Sequence, residues 1–102
     1  MPDRREKLKT ILQGILGTKN TYFQPPESVQ MKYPAIVYSL SGMPSLHAND
    51  GVYLIGREYS VTVIDKNPDS RLPERVAALP ACKFDHHYKA DNLNHWVFTL
   101  RY

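Results

Sequence analysis

The residue types best suited to chemistry lie close together near the end of the chain. They are His86, His87, His95, Asp85, Asp91 and Cys82. A zinc site needs three or four ligands around one point. His86 and His87 are neighbours on a predicted strand, so they point to opposite faces. Either could meet His95 across a hairpin, but a third ligand is not evident. The sequence therefore predicts no metal site, and histidines bonded to the backbone are the simpler interpretation.

A second pattern resembles the start of a calcium-binding loop. Asp65–Asp69 places oxygen-bearing side chains at alternate positions. The pattern then fails, because Ser70 and Val76 stand where such a loop needs Gly and Glu. A connection between a strand and a helix is favoured instead.

Nucleophilic catalysis is also not indicated. Cys82 with His86 or His87 would need an orienting group and an oxyanion site. A free cysteine beside apolar residues is more typical of a packed thiol. The sequence contains no Gly-rich phosphate loop and no G-x-S-x-G, H-E-x-x-H or C-x-x-C motif. We therefore expect no enzyme activity and no cofactor.

Composition describes a globular chain without a membrane span. The 102 residues suit one domain, 1–102, and 42% hydrophobic with 23% charged residues are ordinary values. No apolar run approaches the ~20 residues that cross a bilayer. One cysteine excludes an internal disulfide. The net charge of +3 is concentrated in residues 1–19. This concentration favours a solvated helix face over an anionic partner.

Two helices are predicted. Residues 4–16 carry apolar side chains at helical spacing within the segment 1–19, and Gly17 fits the residue just past the helix end. Asp3 with Glu6 resembles a capping box. Residues 20–32 read as an extended arm. A shorter helix is expected near 70–79, with Asn67-Pro68 at its start.

Segment 33–102 carries the second helix and the strands. They are predicted at 34–41, from about 52 to 64 with a bulge at Gly56, and at 82–88 and 94–102. Asn49-Asp50-Gly51 is the first turn and Ala90-Asp91-Asn92 the second. The expected fold is α+β, with a mostly antiparallel four-stranded sheet built from two hairpins and both helices packed on one face.

Several segments together resemble one protein family. They are Tyr22–Glu27, Met31–Tyr38, Val63–Ser70 followed by Leu79-Pro80, and Phe84–His95. They are similar to small proteins encoded among the head–tail joining genes of long-tailed phages and prophages. Those proteins are named tail terminator, tail completion or minor capsid proteins.

The resemblance implies a structural role in the virion, at the neck between tail and head, after assembly in the host cytoplasm. Tail terminators form a six-subunit ring that caps the tail tube and docks to the head-side connector. The implied partners are other copies of the chain, the major tail tube protein and a head-side connector or stopper protein. Weak, backbone-directed contact with passing DNA is compatible with that place. Alternatives are a head-side neck adaptor, a small nucleic-acid-binding domain and an unrecognised enzyme.

A ring repeats one head-to-tail contact, so each subunit needs two different complementary patches. Exposed aromatic and turn residues are the candidates. The interface residues expected on this basis are Asn49, Asp50, Gly51, Tyr53, Tyr22, Phe23, His95 and Arg101.

Overall fold

The computed structural model describes residues 4–25, 30–42, 45–48, 51–54 and 57–102. Its elements run α1 (Arg4–Leu16), β1 (Thr21–Phe23), β2 (Ala35–Gly42), β3 (Ser45–Ala48), β4 (Gly51–Leu54), β5 (Glu58–Asp65), α2 (Leu72–Ala77), β6 (Cys82–Ala90) and β7 (Leu93–Arg101). The α+β class is confirmed. No helix in the described ranges is long and apolar enough to span a membrane.

The main sheet has five strands and is mixed, so the expected four-stranded antiparallel sheet is corrected. Its order is β1-β2-β5-β7-β6, and β1 pairs with β2 in parallel. The added strand comes from the segment expected to be an extended arm. Asn20 fixes it, because its carbonyl accepts the Ile36 N–H at 3.0 Å and its side-chain amide donates to the Pro34 carbonyl at 3.3 Å.

The long second strand expected over 52–64 is two strands in two sheets. β3 and β4 pair with each other in a separate two-stranded sheet, which we call the ribbon. β5 instead pairs with β2 and β7 in the main sheet. The expected bulge at Gly56 and the turn residues Asn49 and Asp50 lie outside the described residues, as does Asp3 of the expected capping box.

Both helices cover the same face of the main sheet. Leu8 and Leu12 of α1 and Val76 of α2 are fully buried with side chains of β2, β5 and β7. The alternation predicted for the last strand is confirmed at Phe98 and Leu100, each 1% exposed. This apolar layer fixes which side of the sheet remains uncovered.

The helix ends follow local bonding. The Gly17 N–H donates to the Gln13 carbonyl at 2.8 Å, and Gly17 adopts φ 80°, so it ends α1 as expected. α2 is shorter than the predicted 70–79. Asn67 does not cap it: its Oδ1 accepts the Asp69 N–H at 3.0 Å and closes a turn that precedes the helix.

Candidate functional site

The side of the main sheet opposite the helices is the candidate site, and we call it the open face. Because side chains alternate along a strand, the neighbours of the buried residues lie on this face. Its centre is formed by half-buried Val37, Thr62 and Val97 on adjacent strands, and serine and threonine surround them. The centre is therefore a flat patch of β-branched and hydroxyl side chains with no formal charge.

Three aromatic rings stand at one side of the open face, and we call them the ring row. Tyr88 lies opposite His95 in the β6–β7 pairing, and their rings stack 4.5 Å apart at 9°. The His86 ring stacks on Tyr88 at 5.7 Å. The expectation that His86 or His87 could face His95 is corrected, because Tyr88 occupies that position. The faces of the Tyr88 ring are engaged by both histidines, while its side chain remains 43% exposed.

Turn geometry explains this register. Asp91 and Asn92 have φ values of 53° and 61°, so the hairpin closes on two residues, with Ala90 paired to Leu93. Counting back pairs His95 with Tyr88. A shift between Phe84 and His86 leaves Asp85 unpaired as a bulge.

The histidines do not converge on one point. His87 lies on the helix side, where its Nε2–H donates to the Asn94 Oδ1 at 3.1 Å and its ring lies 5.3 Å from Trp96. His86 lies on the open face beside Asp85, at 3.6 Å. Among the described residues, no group of three or more His, Cys, Asp and Glu side chains is arranged to hold a metal ion.

Cys82 lies away from both possible histidine partners. It pairs with Leu100, whereas His86 pairs with Val97, three residues along β7. At ~3.4 Å per residue this is about 10 Å, too far for a hydrogen bond between thiol and imidazole. Cys82 packs against the core, and burial raises the pKa of its thiol. The thiol is therefore positioned for packing rather than as an activated nucleophile.

A charged depression lies where the open face meets the end of β6. The cavity has a volume of about 550 Å³, and its lining includes Glu58, Lys83, Asp85 and Arg101. With two acidic and two basic side chains, it is suited to polar contacts of either sign.

The structure brings three of the predicted interface residues onto the open face. Tyr22 lies on β1, and its hydroxyl accepts the Lys32 N–H at 3.2 Å. His95 and Arg101 lie on β7, six residues and so about 20 Å apart. His95 Nδ1–H donates to the Leu93 carbonyl at 3.2 Å.

The remaining predicted residues lie elsewhere. Phe23 is on the helix side, 5.1 Å from the Tyr38 ring, with the Arg5 guanidinium 4.6 Å from its own ring centre. Gly51 and Tyr53 belong to the ribbon, paired with Ala48 and Leu46. Asn49 and Asp50 are outside the described residues.

Comparisons with family models, with curated proteins and with solved structures find no match to this chain.

Proposed function

We propose that this chain is a structural subunit of a long-tailed phage particle, a tail terminator that forms a ring, closes the tail tube and joins it to the head connector. The sequence resemblance supplies the biological setting. The observation that carries the proposal is that both helices cover one side of a five-stranded sheet and leave the other side open. A wide, flat, weakly charged surface suits contact with another protein better than small-molecule chemistry.

The ribbon supplies the second patch that a head-to-tail ring requires. A two-stranded sheet is marginally stable by itself in water. Because β3 and β4 pair outside the main sheet, a neighbour's surface would stabilise them. In the proposed ring, the ribbon of one copy lies on the open face of the next.

Light scattering after size exclusion tests the ring. We expect a hexamer or a multiple of it for the natural chain. Val97→Lys places a charge at the centre of the open face, and we expect it to dissociate the ring. The matched control Arg71→Lys changes an exposed side chain at the start of α2 and leaves the mass unchanged. A natural chain that stays monomeric at high concentration, with and without tail tube protein, contradicts the proposal.

Imaging of particles assembled without this protein separates the two neck roles. Overlong, unjoined tails indicate a tail terminator. Normal tails beside leaking heads indicate the head-side adaptor.

Nucleic-acid binding is the second candidate, favoured by one observation. The ring row is exposed on the face opposite Phe98 and Leu100, with Lys83 and Arg101 on the same face. Bases stack on aromatic rings with about 1–3 kcal/mol each, but stacking of His86 and His95 on Tyr88 leaves less ring surface for them. Fluorescence anisotropy with single-stranded DNA tests it: Tyr88→Ala weakens binding at least about tenfold if bases stack there. Equal binding by both proteins excludes this use of the ring row.

A further inference from the structure

The outer edge of β6 is the longest free edge in the described part of the chain. β6 has nine residues and β1, at the opposite edge, has three. Within the described residues β6 pairs only with β7, so backbone groups at alternate positions along its outer side have no strand partner. It also carries exposed large hydrophobic side chains on both faces: Phe84 is 49% exposed on the helix side and Tyr88 43% on the open face.

Charges along this edge restrict what can pair with it. Lys83, Asp85, Lys89 and Asp91 alternate in sign. A two-fold axis normal to the sheet sets two copies of β6 antiparallel and keeps their faces aligned, so one residue must face its own copy. Centring on Asp85 sets that carboxylate against itself, on His86 sets Lys83 against Lys89, and on Tyr88 sets Asp85 against Asp91. Each of these registers opposes like charges.

We propose that the outer edge of β6 pairs antiparallel with β6 of a second copy of this chain, in the register centred on His87. In this register Asp85 faces Lys89 of the second copy, and the symmetry makes the pair twice. His86 faces Tyr88 of the second copy on the open face, so the ring row continues across the axis. The bulge at Asp85 lies at the margin, and residues 86–90, which pair regularly with β7, form the centre.

This two-fold contact is separate from the head-to-tail contact proposed above, because it joins identical surfaces. If both contacts form, two rings are joined through β6. If only the two-fold contact forms, the chain is a dimer. Failure of one proposal therefore leaves the other measurable.

A charge exchange in the full-length chain tests the register. Asp85→Lys and Lys89→Asp each turn two attractions into two repulsions, and we expect each to raise the dissociation constant of the two-fold contact about tenfold or more. The double variant restores opposite charges and is expected to recover association. The same exchange at the exposed loop residues Lys66 and Asp69 is the matched control. Light scattering across concentrations measures mass, and far-UV circular dichroism confirms the fold of each variant.

Disulfide trapping provides a second readout. Directly opposed residues of antiparallel strands have Cα atoms about 4.5–5.5 Å apart, which a disulfide can bridge. In a Cys82→Ser background, His87→Cys is expected to cross-link into dimers under mild oxidation, whereas Lys66→Cys is not. Association unaffected by either charge variant, no recovery in the double variant, or no cross-link at position 87 overturns the proposal.

Discussion

At the scale of single residues, exposure separates side chains that look alike in the sequence. Phe84 and Phe98 are paired across β6 and β7, with their rings 5.4 Å apart. Phe98 is 1% exposed, while Phe84 is 49% exposed. Their contributions to stability should therefore differ.

We expect Phe98→Ala to lower the free energy of unfolding by about 3–5 kcal/mol, because it leaves a cavity in the core. Phe84→Ala should cost about 1 kcal/mol or less, since half of that side chain is already in water. Urea unfolding followed by circular dichroism measures both. Equal losses would contradict the placement of the core on one side of β7.

Burial of Cys82 makes its reactivity depend on folding. Because burial raises the thiol pKa, we expect the alkylation rate of the native chain to reach half its maximum at a higher pH than that of the chain in urea. The raised pKa contributes stability that is present below the unfolded-state pKa and lost as pH rises through the folded-state pKa. Iodoacetamide labelling read by mass spectrometry over a pH series measures this. Identical midpoints in native and unfolded chain would contradict it.

At the scale of elements, local signals were sufficient where the partner lies next along the chain. The spacing of Leu8, Leu12 and Leu16 predicted α1 with the observed bounds. The strand β1 could not be predicted in this way, because three residues carry no period and its pairing with β2 depends on Asn20 reaching Pro34. α2 was overestimated because Asn67 and Ser70 are used in turns that precede it.

Two glycines in one helix give opposite expectations. Gly17 lies at φ 80°, so Gly17→Ala should destabilise the fold by about 1–2 kcal/mol. Gly14 lies inside α1, and a methyl group there meets nothing within 4 Å. Gly14→Ala should therefore raise the free energy of unfolding by about 0.5–1 kcal/mol. Thermal and urea unfolding of both variants measure the difference, and a shared sign would contradict the assigned end of α1.

At the scale of the whole molecule, the sequence predicted the class and one-sided covering by helices but not the open face in detail. The ring row depends on one count, the two-residue turn at Asp91-Asn92, which moves Tyr88 into the position opposite His95. The three-residue turn expected from Ala90 onwards would have changed that pairing. A hairpin's register is a property of turn conformation, and the residue types Asp and Asn permit more than one.

Association should respond to changes at this scale independently of stability. Replacing residues 43–56, which include the ribbon, with a short Asn-Gly turn joins β2 to β5 directly. We expect the main sheet to be retained and the proposed head-to-tail ring to be lost. Light scattering together with urea unfolding measures both properties. A ring that persists without the ribbon would require a different second patch.

The strand order also fixes how isotope exchange should spread through the molecule. β5 lies at the middle of the main sheet, with two strands on either side. Opening its amides to deuterium requires separating it from β2 and from β7, which approaches complete unfolding. Amides of β1 and β6 can exchange after a single strand frays. Deuterium uptake should therefore be slowest in β5 and faster toward both margins.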